Sequence, residues 1–165
     1  MARVFLGIGS NLGDRLELME AAIARLQGLE GTRLVARSQV YETEPWGGVD
    51  RQHWFLNCAV ELETSLPPQR LLDLTQTIEA ELGRTRSEAI FEPRTMDIDL
   101  LLYGEEVISE FELQIPHPLM HERRFVLAPL AEIAPSVVHP VLYRTIRDLL
   151  AELGEVGGLV FLFPR

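Results

Sequence analysis

Apolar residues return along this chain with two different periods, and each change of period marks a new element. Val4–Ile8 is a short continuous apolar run, the pattern of a buried strand. Gly9-Ser10-Asn11-Leu12-Gly13 then breaks it as a turn. Asp14 caps a helix, with Glu17 three residues on completing a capping-box pattern. Leu16, Met19, Ile23 and Leu26 recur at helical spacing, and Gly28 and Gly31 bracket the end. Leu34–Tyr41 reads as a strand, broken by Glu44-Pro45-Trp46-Gly47-Gly48, which opens a loop to about His53. Trp54–Thr64 alternates cleanly. Leu56, Cys58, Val60 and Leu62 take one face, and Phe55, Asn57, Ala59 and Glu61 the other. Pro67 and Pro68 open a second helix, with Leu71, Leu74, Ile78 and Leu82 as its stripe and Gly83 as its end. Arg84–Pro93 is polar and aperiodic, and the strand Met96–Tyr103 follows. After a turn at Gly104, Glu106–Ile108 and Leu113–Ile115 are short strand pieces. Arg123–Ile133 and Ile146–Leu153 are helical, and Leu159–Phe163 is a last strand.

The first two-thirds therefore run β-α-β-β-α-β, the split βαβ or ferredoxin-like order of an α+β fold. That order predicts a largely antiparallel sheet with its helices packed on one face. The C-terminal third adds helices and an edge strand. The 165 residues are expected to form one domain spanning 1–165, long enough for a real core. No apolar run approaches the roughly 20 residues of a membrane span, and the N-terminus carries no signal-peptide pattern. A single cysteine, Cys58, excludes an intrachain disulfide and fits a reducing, cytoplasmic setting. Its place in an alternating strand makes it a small core residue. The net charge of −10 is the wrong sign for non-specific nucleic-acid binding.

Local chemistry changes this picture most at Met96–Tyr103. Asp97 and Asp99 are two residues apart in a strand, so they share a face, roughly 6.6 Å apart along the chain. Met96, Ile98, Leu100 and Leu102 point the other way as core. Leu101 and Tyr103 continue the aspartate face and make it partly apolar, so unpaired carboxylates there are costly. Paired carboxylates suit Mg²⁺, which takes one or two of them and completes its shell with substrate phosphates and water. Arg84, Arg86 and Arg94 gather just upstream, with Arg123 and Arg124 further on. Guanidinium forks match phosphate oxygens, so carboxylates and arginines together describe a polyphosphate site. Phe55 and Asn57 share one strand face, either as a packing pair or as a flat aromatic with an amide that recognises a planar heterocycle. Trp46 can form a wall of that pocket. His117, between two prolines, reads first as a turn residue. Gly7-x-Gly9 through Gly13 misses the dinucleotide fingerprint by one residue and reads as a strand-to-helix turn.

Several segments taken in order resemble one family. They are Gly9-Ser10-Asn11-Leu12-Gly13, Tyr41-Glu42-Thr43-Glu44-Pro45-Trp46-Gly47 and Phe55-Leu56-Asn57, then Gln76-Thr77-Ile78-Glu79 and Gly83-Arg84-Thr85-Arg86. Pro93-Arg94-Thr95-Met96-Asp97-Ile98-Asp99 follows, then Pro116-His117-Pro118-Leu119-Met120 with Arg123 and Phe125, and Leu130 to Pro135. The chain resembles 6-hydroxymethyl-7,8-dihydropterin pyrophosphokinase from residue 4 to about residue 135. The resemblance implies a single pterin pyrophosphokinase domain in which ATP donates a pyrophosphoryl group to the pterin hydroxymethyl oxygen and AMP leaves. It implies two Mg²⁺ ions held by Asp97 and Asp99. Arg84, Arg94, His117 and Arg123 match positions that contact the ATP phosphates, and Arg86 and Phe91 match the mobile catalytic loop. Gln76, Glu79 and Leu100 match the nucleotide site. Thr43, Glu44, Trp46, Phe55, Asn57 and Phe125 match the pterin pocket. Glu92, Glu112 and Pro118 depart from the family pattern.

Two other classes compete. A non-catalytic ferredoxin-like module that binds a small regulatory molecule shares the element order, yet has no use for Asp97 and Asp99 beside arginines. A single-stranded RNA binder needs exposed aromatics with basic neighbours, which an acidic chain without them does not offer. The expected partners are ATP and the pterin, with no nucleic acid and no membrane, and the expected state is a monomer.

Overall fold

The structure, a computed structural model, describes residues 1–11, 13–43, 54–83, 96–154 and 160–163. Within them the elements run β1 (Ala2–Ser10), α1 (Arg15–Gln27), β2 (Thr32–Arg37), β3 (Tyr41–Thr43), β4 (Phe55–Thr64), α2 (Pro68–Gly83), β5 (Met96–Tyr103), β6 (Ile108–Ser109), β7 (Gln114–Ile115), α3 (Arg124–Ile133), α4 (Ile146–Leu153) and β8 (Val160–Leu162). The main sheet has the order β5-β1-β4-β3-β8, with β2 also on β4. Every recorded pairing is antiparallel. This is the ferredoxin-like α+β arrangement, extended by β8 at the edge.

The local signals act as their chemistry dictates. The Asp14 carboxylate accepts from the Glu17 N–H at 3.1 Å and starts α1. Met19, Ile23 and Leu26 bury the stripe of α1, and Leu71 and Ile78 that of α2, against Val4, Leu6, Ile8, Val60 and Leu62. Gly28 closes α1 by donating its N–H to carbonyls of the last turn.

Three expectations need correction. First, Leu34–Tyr41 is two strands, not one. Val35 is an extra residue where the register shifts between Leu34 and Ala36. At Ser38 the hydroxyl accepts from the Ala59 N–H at 2.9 Å, so a side-chain oxygen replaces a ladder carbonyl and lets the chain bend before β3. Second, helices cover both faces of the sheet. Phe5, Ala59, Leu101 and Leu102 form a second core with Val126, Leu127, Leu130, Ile146 and Leu149 of α3 and α4. The mixed face of β4 is therefore buried too, and Glu61 there pairs with Arg3 at 2.7 Å. Third, β5 does not alternate to its end. Phe5 faces Leu102 while Leu6 faces Leu100, so Leu101 is a bulge. Beyond it Leu102 joins the α3 side, and Tyr103 turns to the α1/α2 side, where its hydroxyl donates to the Leu66 carbonyl at 2.5 Å.

Candidate active site

Cross-strand register assembles the site on the sheet face that α3 covers. Asp97 of β5 faces Gly9 of β1, which faces Asn57 of β4, which faces Tyr41 of β3. One step along, Asp99 faces Gly7, which faces Ala59. The two carboxylates thus stand beside a floor of glycine. A Cβ at Gly9 would lie 2.9 Å from the Asn57 Nδ2, so only glycine leaves the amide where it is, while the Phe55 ring at 3.5 Å is in ordinary contact.

Above that floor is a cavity of about 200 Å³, lined by Gly7, Gly9, Thr43, Phe55, Asn57, Asp97, Asp99, Arg123 and Phe125. Thr43 and Asn57 are both buried, and the Thr43 hydroxyl donates to the Asn57 Oδ1 at 2.5 Å. That bond fixes the amide so that Nδ2 lies on the Gly9 side. Asn57 therefore presents a defined donor to the cavity, beside the Phe55 ring. Arg123 precedes α3 with an extended backbone, and its carbonyl accepts from the Val126 and Leu127 N–H groups. Its guanidinium lies 5.7 Å from the Phe125 ring centroid, so one short segment delivers a cation and an aromatic to the same cavity. Arg15 steadies the rim, donating to Glu42 at 2.8 Å and to the Trp54 carbonyl at 3.0 Å.

Asp99 also lines a second space, an open groove of about 310 Å³ bounded by Gln76, Glu79, Leu100, Phe111, Glu112, His117 and Pro118. The His117 N–H donates to the Leu101 carbonyl at 3.0 Å, and the Leu119 N–H reaches its Nδ1 at 3.3 Å. The imidazole proton then sits on Nε2, as a donor. Burial pushes the His117 pKa down, Asp99 opposes that shift, and Arg123 adds to it. Two of the three residues that depart from the family pattern, Glu112 and Pro118, line this groove.

The expected residues thus fall into two spaces that share Asp99. Thr43, Phe55, Asn57, Asp97, Arg123 and Phe125 come together in the cavity, and Gln76, Glu79, Leu100 and His117 in the groove. Glu44, Trp46, Arg84, Arg86, Phe91 and Arg94 lie outside the described residues. The sequence pattern puts Gly7 in a strand and Gly9 in the turn after it, and does not show that the two share a floor under the site. The signal that could have found it is their spacing, because glycines two apart within a strand clear one face. Cys58 is buried as expected, and burial lifts its thiol to about 12.

The carboxylate pair fits Mg²⁺. Among the described residues no group of three His, Cys, Asp or Glu side chains is placed to hold a metal. Two oxygen ligands leave the remaining positions to phosphate and water, as Mg²⁺ prefers.

The family model for 7,8-dihydro-6-hydroxymethylpterin-pyrophosphokinase matches residues 5–135. The chain belongs to this family. Proteins called 2-amino-4-hydroxy-6-hydroxymethyldihydropteridine pyrophosphokinase are similar to it throughout. That of Methylorubrum extorquens is 46% identical over 157 residues, covering 95% of this chain and 97% of its own. That of Bacillus subtilis is 50% identical over 133 residues, covering 81% and 78%. That of Aquifex aeolicus is 41% identical over 152 residues, covering 92% of each. Among solved structures, Plasmodium falciparum HPPK-DHPS with pteroate superposes with a TM-score of 0.72 at 19% identity over 92% of this chain. The chain spans 42% of that longer one, so the likeness speaks to the shared fold. Pyrophosphokinase relatives of nearly equal length leave the regulatory-module reading without support.

Proposed function

We propose that the pterin lies flat in the cavity between Phe55 and Phe125, that ATP lies in the groove, and that Asp97 and Asp99 stand at the junction. The reaction is transfer of pyrophosphate from ATP to the hydroxymethyl group of 6-hydroxymethyl-7,8-dihydropterin, in folate biosynthesis. The hydroxymethyl oxygen attacks the β-phosphorus. A new O–P bond forms as the bond to the α–β bridging oxygen breaks. AMP leaves with the electron pair, and the hydroxyl proton passes to solvent. Such transfer is mainly positioning and charge neutralisation.

Within this scheme the Asn57 Nδ2 donates to a ring acceptor, and Phe55 and Phe125 cover the faces. Thr43 orients Asn57, and Glu44, Trp46 and Phe91 complete the pterin pocket. Gln76, Glu79 and Leu100 hold the nucleotide side. The His117 Nε2–H and the Arg123 guanidinium donate to phosphate oxygens, and Arg84, Arg86 and Arg94 add charge there. Asp97 and Asp99 hold Mg²⁺, two ions in this reading, which when bound neutralises the triphosphate and keeps attacking and leaving oxygens in line. We infer a monomer in the cytoplasm. No helix of the described residues is long and apolar enough to cross a membrane.

The observation that supports this reading is Asp99 lining both the cavity and the groove, so a carboxylate stands where the two spaces meet. The test is a product assay with ATP, Mg²⁺ and hydroxymethyldihydropterin. AMP and the pterin diphosphate are expected. ADP as the nucleotide product, or ATP consumption independent of the pterin, defeats the scheme.

A further inference from the structure

Among the described residues β5 is the edge strand of the main sheet, paired with β1 on one side only. An edge strand presents unpaired backbone groups and is free to shift unless something holds it. On this one, the Ile98 N–H, from the residue between Asp97 and Asp99, donates to the Glu79 Oε2 at 2.6 Å. Glu79 reaches it from α2, which packs alongside β5. Three residues further on, the Leu101 carbonyl, at the bulge, accepts from the His117 N–H at 3.0 Å. Two residues of the groove wall therefore clamp the outer edge of the strand that carries the paired carboxylates.

We propose that Glu79 is a positioning residue for the Asp97/Asp99 pair, acting through the Ile98 amide. This rests on the reading of that pair as the Mg²⁺ site. A hydrogen bond to a carboxylate is shorter and stronger than one between neutral groups. It fixes the peptide plane between Asp97 and Ile98, and with it the direction in which both aspartates leave the strand. Ligand geometry must hold within roughly 0.5 Å for a metal–substrate site to work. Direct coordination by Glu79 is a different role. Among the described residues the three carboxylates form no group placed to hold one ion. Their attachment explains the arrangement better, with two carboxylates facing the site and a third gripping the backbone that joins them.

Two variants and three measurements on the full chain test this. Glu79→Gln keeps an acceptor oxygen at the same reach; Glu79→Ala removes it. Exchange of the Ile98 amide, followed by NMR in the ligand-free protein, is expected to speed up about tenfold or more in the alanine variant, the scale of one lost charge-assisted hydrogen bond. Exchange of the Leu6 amide, deep in the sheet, reports whether the fold as a whole has loosened. Binding of Mn²⁺ with a non-hydrolysable ATP analogue, read by EPR, is expected to weaken about tenfold in Glu79→Ala and less than about threefold in Glu79→Gln. In turnover, half-saturation for Mg²⁺ at fixed ATP should rise in parallel, while the KM for the pterin stays put. Unchanged Ile98 exchange in Glu79→Ala overturns the clamp. Unchanged Mn²⁺ binding despite faster exchange overturns the link to the carboxylates. Equal loss in both variants assigns Glu79 to direct contact with the ion or the nucleotide instead. A wild-type protein that yields no AMP defeats the functional reading, yet leaves the Ile98 measurement intact.

Discussion

Asn57 shows how much of this site hangs on single atoms. Its Oδ1 is taken by the Thr43 hydroxyl, and its Nδ2 stands over a glycine. Asn57→Ala removes the donor and strands the Thr43 hydroxyl in a buried place. Pterin affinity should fall about tenfold to a hundredfold, the cost of one unmade hydrogen bond, with ATP affinity little changed. Calorimetry that finds equal losses for both ligands makes Asn57 structural. Gly9→Ala should resemble it, because the new Cβ has the amide nitrogen only 2.9 Å away and the amide must move. The aspartates behave differently, since both side chains are only half-buried. Asp97→Ala or Asp99→Ala should leave the melting temperature nearly unchanged while cutting kcat by at least about a thousandfold, the worth of several kcal/mol of metal-mediated stabilisation. Near-normal turnover at saturating Mg²⁺ removes the residue from the metal site.

At the scale of elements, strand and helix periods were legible wherever one face alone decided the pattern. The stripe of α1, the alternation of β4 and the Asp97/Asp99 pair came straight from spacing, and so did Leu71, Ile78 and Leu82 of α2, where Leu72 and Thr75 pack on the core in place of the expected Leu74. What spacing does not show is a residue that breaks the period. Val35 and Leu101 are ordinary aliphatics, and nothing in their chemistry marks them as bulges. Nor did the sequence show that Ser38 lends its hydroxyl to the ladder, because a strand serine looks the same whether it packs or bonds. The Asp97–Gly9–Asn57 row was hidden for another reason: register between distant strands is a tertiary fact.

The turn before α4 carries a pH prediction of its own. His139 is buried, and its Nδ1 accepts from the Val141 and Leu142 N–H groups at 3.2 and 3.1 Å. Only a neutral imidazole can accept. Burial lowers the His139 pKa, and His121, whose ring centroid is 6.3 Å away, lowers it further. Arg144, whose carbonyl accepts from the His139 N–H, has its guanidinium ion-paired with Asp148 and Glu152. A pKa lowered by folding means the unfolded chain binds the extra proton first. His139 therefore contributes its full stability above the ordinary histidine value, and loses it as pH falls below that value towards the folded one. Thermal melts between about pH 7.5 and 5.5 stay above the carboxylate range. His139→Asn keeps an acceptor that does not titrate, so its melting temperature should fall less across that window than the wild type's. Parallel slopes rule His139 out as the source.

At the scale of the whole molecule, the sheet is a partition between two cores with different duties. The α1/α2 side reaches the groove through Gln76 and Glu79 of α2 and is otherwise packing. The α3/α4 side also positions chemistry, because α3 begins where the cavity ends. Leu26 and Leu127 are equally buried, each with no exposed surface, one in either core. Leucine-to-alanine changes at such sites cost about 2–5 kcal/mol. For a chain of this size that is a fall in melting temperature of about 5–15 °C. Leu26→Ala and Leu127→Ala should therefore look alike in a thermal melt. They should part company in binding. Leu26 lies in the last turn of α1, away from the α3 side of the sheet. Leu127 donates its N–H to the Arg123 carbonyl and follows Phe125 by two residues, so a cavity beneath it loosens the segment that delivers both. Measured well below both melting temperatures, pterin affinity should stay near wild type in Leu26→Ala and fall several-fold in Leu127→Ala. Equal affinities in the two variants would mean that α3 holds Arg123 and Phe125 without help from its own core, and that the partition is one of packing alone.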